Sequence, residues 1–99
     1  MDLKIVWTET ALSDVESIVG YVADRNVDAA RKLGADLISS VESLSSLPRQ
    51  GRLYEPSREG GEVRELLCRG YRLFYRVKDG QGLVEIARVW HGARSEPRM

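Results

Sequence analysis

Apolar positions along this chain change their spacing several times, and the changes divide it into elements. Leu3 to Trp7 is a short apolar, β-prone run that predicts a strand. Leu12, Val15, Ile18, Val19 and Val22 then recur at helical spacing and predict an amphipathic helix over about 9–24. Thr8 stands where an N-cap belongs, Glu9 suits the positive end of the helix dipole, and Trp7 with Leu12 has the spacing of a hydrophobic staple. Gly20 weakens the middle of this helix by roughly 1 kcal/mol. Arg25-Asn26-Val27 breaks the period, and Asn26 or Asp28 can cap a second helix. Its stripe, Ala30, Leu33, Leu37, Ile38, Val41 and Leu44, carries it to about 46, and Pro48 and Gly51 close it. The short link between the helices predicts an antiparallel αα-hairpin.

Residues 48–61 are polar and rich in Gly and Pro, and read as a loop. Glu62 to Cys68 predicts a strand with a turn at Arg69-Gly70. YRLFYRV (71–77), a turn over Lys78 to Gly82, and LVEIARVWHGAR (83–94) predict a β-hairpin. The order is β-α-α-β-β-β. The expected fold is α+β: a helical hairpin packed on a small twisted antiparallel sheet, with the first strand joining the later three. The helices cover one sheet face and leave the other open for binding or chemistry.

Strand alternation places Tyr71, Leu73, Tyr75 and Val77 on one face and Arg72, Phe74, Arg76 and Lys78 on the other. Cations around an aromatic, with the single histidine, His91, at the end of the next strand, can form an anion site or a patch for an acidic partner. Each residue also has a plainer reading. His91 can be a strand-end residue bonded locally, and Arg72 and Arg76 can be long solvated side chains that discourage edge pairing. Tyr75 and Trp7 read as core, Phe74 is open between core and surface, and Trp90 can stack on a partner or fill an interface. Cys68 reads as a small buried residue, and Glu65, beside Arg64, as a surface charge. Arg88 falls on the Val84/Ile86 side of its strand if alternation is unbroken, which leaves its burial open. Arg94 and Arg98 extend the basic set.

Ninety-nine residues, 42% hydrophobic and 30% charged, describe one domain, 1–99, with one modest core. No apolar run approaches the ~18 residues of a membrane span, and the first residues lack a secretory pattern. With a single cysteine, this suits a reducing cytoplasm. One Cys and one His fall short of a usual metal ligand set, and no phosphate-binding glycine loop occurs, so neither metal nor cofactor is expected. The formal charge is zero but divided: residues 1–57 hold six Lys/Arg against nine Asp/Glu, and residues 58–99 hold nine against six. The basic half can steer towards an acidic partner, although dedicated nucleic-acid binders are usually far more basic.

The succession Trp7-Thr8, Ala11, Asp14, Tyr21, Ala29-Ala30, LPRQGR (47–52), Arg64-Glu65-Leu66, YRLFYRV and VEIARVWHGAR (84–94) resembles the RelE/ParE superfamily of toxins from bacterial type II toxin–antitoxin modules, over nearly the whole chain. The resemblance implies a compact cytoplasmic toxin neutralised by a separate antitoxin, ParD-like or similar, in a heterotetramer or larger complex. It implies one of two targets: DNA gyrase for ParE-like members, or mRNA in the ribosomal A site for RelE-like and YoeB-like ones. The texture looks closer to ParE, and the lysine-rich set of RelE is absent, since only Lys4, Lys32 and Lys78 occur.

Under the ribonuclease alternative, the resemblance to YoeB-like members implies Arg72, His91 and, more loosely placed, Glu55 as the catalytic set. His91 would serve as acid or base, Arg72 would hold the phosphate, and Glu55 would act as base. Under the gyrase alternative no chemistry is needed, and Arg72, Phe74, Arg76, Trp90, Arg94 and Arg98 are the expected partner contacts. A third possibility is an inactive relative that co-represses its operon with the antitoxin.

Overall fold

The computed structural model describes residues 2–56 and 62–91, without the side chains of Glu55 and Pro56. Strand β1 (Lys4–Trp7) leads into helices α1 (Glu9–Ala23) and α2 (Val27–Ser40), and a 3₁₀ turn spans Glu42–Ser45. Strands β2 (Arg52–Pro56), β3 (Glu62–Cys68), β4 (Tyr71–Lys78) and β5 (Leu83–His91) follow, with a short 3₁₀ turn at Asp79–Gln81. They form one five-stranded sheet in the order β1-β5-β4-β3-β2. No helix among the described residues is long and apolar enough to cross a membrane.

The helical hairpin on a sheet is the predicted α+β architecture, with three differences. The segment read as a loop contains β2, paired antiparallel to β3 with a bulge between Leu53 and Glu55. Strand β1 joins β5 in parallel, Ile5 opposite Val84 and Trp7 opposite Ile86, so the sheet is mixed. Helix α2 ends at Ser40, not near 46. The Ser39 and Ser40 hydroxyls donate to the carbonyls of Asp36 and Leu37, the local competition that weakens a serine-rich helix end. Ser45 then donates to the Leu3 carbonyl, tying the 3₁₀ turn to the start of β1.

The core lies between the hairpin and one sheet face. Ala11, Val15, Leu33, Leu37, Val41 and Leu44 from the helical layer meet Leu73, Tyr75, Val77, Val84, Ile86 and Val89 from the sheet. Burying each of the larger side chains contributes about 1.5–3 kcal/mol. Trp7 packs against this cluster partly buried, while Leu12 and Ile38 of the predicted stripes are exposed. The helices cross closely where Gly34 faces Val19, its position for a Cβ only 3.3 Å from a Val19 methyl.

Candidate functional site

Helix α1 is fastened to β5 by two of its polar residues. The Thr8 hydroxyl accepts from the Ala11 amide at 3.0 Å, capping the helix, and lies within donating distance of the Ile86 and Ala87 carbonyls at 3.1 and 3.2 Å. One turn on, Asp14 takes the Arg88 guanidinium on both carboxylate oxygens, at 2.9 and 3.1 Å, and accepts from the Val89 amide at 2.9 Å. That hydrogen bond holds the Arg88 guanidinium above its ordinary pKa. Strand β1 has already ended at Trp7, so Asp14 serves β5 where it lacks a neighbouring strand.

Between these anchors β5 carries an extra residue. The pairing with β4 runs Val77 opposite Val84 and Tyr75 opposite Ile86, then slips, so that Phe74 faces Arg88, Leu73 Val89, Arg72 Trp90 and Tyr71 His91. The slip at Ala87 exchanges the faces of everything after it. Arg88 and Trp90 move to the open face, which resolves the ambiguity of Arg88. His91 moves to the helix side, its ring edge-on to Tyr71 with centroids 5.2 Å apart. There it lines a cleft of about 620 Å³ with Ile18, Tyr21, Val22, Tyr71 and Val89.

The open face can be read as rows across the strands. One row is Trp90, Arg72 and Leu67; the next is Arg88, Phe74, Glu65 and Arg52; a third contains Glu85, Arg76 and Val63. Leu67 is 75% exposed, whereas Phe74 and Val63 are buried on a face the helices do not cover. Tyr54, at the β2 bulge, meets Phe74 edge-on at 4.8 Å, and the Arg72 guanidinium lies over both rings, 5.0 Å from Phe74 and 5.7 Å from Tyr54. Arg88 lies over Trp90 at 4.8 Å.

Glu65 is not a surface charge. Its side chain is 3% exposed and closed between two arginines from different strands. Arg72 donates to one carboxylate oxygen through Nε at 2.8 Å and reaches the same oxygen through Nη2, and Arg52 donates to the other. A carboxylate between two strands has its charge answered there, since a buried ion without partners is costly. The sequence held a signal for this: strand alternation puts Glu65 on the same face as Arg72. Arg76 and Lys78 converge on Glu85 at 3.8 and 3.2 Å.

The LPRQGR segment turns around Tyr75. The buried Tyr75 hydroxyl donates to the Pro48 carbonyl at 2.8 Å and accepts from the Gly51 amide at 2.9 Å. Burial raises its pKa. A Cβ at Gly51 would lie 2.5 Å from that hydroxyl and 2.6 Å from the Glu65 carbonyl, so the turn requires glycine. Arg49 then bridges Glu62 and Asp79, and Arg64 binds Glu62 and the Gly51 carbonyl.

The expected site residues are therefore divided. Arg72, Phe74, Arg76 and Trp90 share the open face; His91 is on the other side of the sheet. The backbone of Glu55 belongs to β2, its Cα opposite Val63, and Arg94 and Arg98 lie outside the described residues. Cys68 is only partly buried, its Sγ 3.7 Å from the Asp36 carbonyl. Among the described residues no three His, Cys, Asp or Glu side chains gather as a metal would require.

A family profile described as the ParE toxin of the type II toxin–antitoxin system parDE matches residues 5–96. The chain belongs to this toxin family. It is 35% identical over 92 residues to the toxin RelE2 of Caulobacter vibrioides, covering 92% of this chain and 97% of that one. The toxin also superposes on a chain of the chromosomal ParDE toxin–antitoxin system from P. aeruginosa with a TM-score of 0.73, at 25% identity over 90% of this chain and 95% of the other. A chain of the RelBE2 toxin–antitoxin complex from Mycobacterium tuberculosis gives a TM-score of 0.58 at 25% identity, over 92% of this chain and 99% of the other. The isolated E. coli RelE toxin shares the fold, with a TM-score of 0.55 at 23% identity over 95% and 88% of the two chains.

Proposed function

We propose that this toxin arrests growth by binding a protein, as a ParE-like inhibitor of DNA gyrase, and that it does so without cutting RNA. One observation carries the reading. Arg72 and His91, which a YoeB-like ribonuclease would use together, project from opposite sheet faces, and the Arg72 fork is already closed on Glu65. General acid–base catalysis needs its groups within hydrogen-bond reach of one substrate. The higher structural similarity to a chain of a ParDE system than to a chain of the RelBE2 complex supports the same reading. The helical hairpin and the basic tail are the surfaces assigned to the target. Arg72, Arg76 and Trp90 are assigned to protein contact on the open face, whereas Phe74, fully buried beneath Tyr54 and Arg72, supports them from below and is not itself a contact. The toxin works in the cytoplasm and is neutralised there by a ParD-like antitoxin, in a heterotetramer or larger complex.

The name RelE2 on the Caulobacter relative favours a second reading, a ribosome-dependent ribonuclease. One pair of assays separates them. Purified toxin should block gyrase supercoiling and leave ribosome-bound mRNA intact. Cleaved mRNA with unaffected gyrase would replace the proposal by the second reading, and the absence of both effects would favour a co-repressor.

A further inference from the structure

The open face has the ingredients of a single-strand nucleic-acid platform, and its acidic residues work against that use. Five cations, Arg52, Arg72, Arg76, Lys78 and Arg88, surround three aromatic rings, Tyr54, Phe74 and Trp90. Nucleic-acid platforms combine such cations with rings offered for base stacking. Here Phe74 is fully buried, and guanidinium groups lie over Phe74, Tyr54 and Trp90. The cations are also answered from within: Glu65 takes Arg52 and Arg72, Glu85 takes Arg76 and Lys78, and Asp14 takes Arg88.

Asp14 has a structural task, since it also holds the Val89 amide. Glu65 and Glu85 face side-chain cations. A buried ion pair is often no more stabilising than apolar residues of the same volume, so stability alone does not account for a charge at position 65. Its location does suggest a use. A phosphate drawn to Arg72 would approach a carboxylate that is 3% exposed, whose repulsion salt screens only weakly.

We propose that Glu65 and Glu85 are specificity residues that exclude nucleic acid from the sheet face and reserve it for a protein partner. Arg52, 78% exposed at the edge strand, remains within reach of an isolated carboxylate of that partner. This rests on the reading of the toxin as a protein binder.

The test is fluorescence anisotropy of a labelled single-stranded oligoribonucleotide, titrated with the full wild-type chain, Glu65→Gln, Glu85→Gln, both together, and Glu42→Gln. Glu42 is exposed on the 3₁₀ turn after α2, in the helical layer, and controls for net charge. The double variant should bind about tenfold tighter than wild type or better, with a log–log salt slope steeper by about 1.4, as expected for two new phosphate contacts. Glu42→Gln should bind like wild type. A folded double variant no tighter than wild type, or an equal gain from Glu42→Gln, overturns the proposal. If Glu65→Gln fails to unfold cooperatively, Glu85→Gln decides alone: a gain of about threefold supports the proposal and no gain overturns it. Supercoiling by wild type is scored separately, so failure of the gyrase reading does not alter the RNA comparison.

Discussion

Arg72 and His91 stand on opposite faces of the sheet because β5 accommodates one extra residue at Ala87 between them and the regular start of the hairpin. On the proposed reading, groups so placed do not act as one catalytic unit. Arg72→Lys and His91→Ala should therefore have independent effects on growth arrest. Their combined effect, expressed as a free energy from dose response, should equal the sum of the singles within about 0.5 kcal/mol. A double variant no worse than the poorer single variant is the pattern of residues sharing one chemical step, and it would restore the ribonuclease reading.

Gly51 and Tyr75 make a second constraint, on the turn leading from the helical layer to β2. Gly51→Ala places a methyl group 2.5 Å from the Tyr75 hydroxyl and 2.6 Å from the Glu65 carbonyl. It should destabilise by about 1–3 kcal/mol in urea unfolding, the usual cost of overpacking. Tyr75→Phe leaves the Gly51 amide and Pro48 carbonyl without that hydroxyl, at about 1–3 kcal/mol. Adding Tyr75→Phe to Gly51→Ala should recover only part of the loss, because the Glu65 carbonyl is backbone and cannot retreat. Full additivity of the two costs would show that the hydroxyl and the new methyl never met.

Asp14 is expected to matter more through β5 than through its own helix. Asp14→Asn keeps an acceptor for the Val89 amide and loses the charge opposite Arg88; Asp14→Ala loses both. The pair is partly exposed, so the ionic share is modest. Asp14→Ala should cost about 1–3 kcal/mol and Asp14→Asn roughly half that. Hydrogen exchange at Val89 locates the effect. Its amide should lose protection in Asp14→Ala and retain most of it in Asp14→Asn, and equal loss in both would assign the interaction to charge alone.

The two helices and the β4–β5 hairpin were legible because their apolar spacing is regular over many residues, and Leu33, Leu37, Leu73 and Tyr75 are buried as the spacing requires. Strand β2 was not legible. Its five residues, RLYEP, show no apolar alternation, and the strand is bulged between Leu53 and Glu55 and defined by its pairing with β3. The bulge at Ala87 was equally hidden, since nothing local in VEIARVWH marks an extra residue. Thr8 and Asp14, more than seventy residues away, hold the strand on either side of it. One slip changed the face of Arg88, Trp90 and His91 together, so the geometry that separates the candidate residues was not legible.

Arg69 adopts φ 52° at the tip of the β3–β4 hairpin, with Gly70 at φ 83° beside it. Left-handed backbone costs an ordinary residue about 1–2 kcal/mol, and asparagine tolerates it better. Arg69 gains an ion pair with Asp36 at 2.8 Å, but both side chains are about half exposed, and such pairs contribute about 0.2–1 kcal/mol. The backbone term is the larger. Arg69→Asn should therefore stabilise the toxin by about 0.5–1 kcal/mol, visible as a raised urea midpoint with unchanged slope. A lowered midpoint would mean that the Asp36 pair, which joins the hairpin to α2, outweighs the turn.

Acid should loosen the junction where Arg49 and Arg64 join the LPRQGR turn to β3 and the β4–β5 turn. Hydrogen bonding from Arg64 holds the Glu62 carboxyl below its ordinary value of 4.5, and hydrogen bonding from Arg49 holds Asp79 below 3.8. For carboxyls lowered in the folded state, the folded chain keeps its charge where the unfolded chain takes up protons. Their contribution is thus complete above the ordinary values and disappears as pH falls through the lowered ones. The groups are substantially hydrated, so the effect on Tm is small, and comparison with a variant isolates it. Arg49→Ala should melt below wild type at neutral pH, and the difference should shrink progressively as pH falls below the ordinary values of the two carboxyls. A difference that stays constant through that range would assign the loss to the arginine's packing, with no part for its two carboxylates.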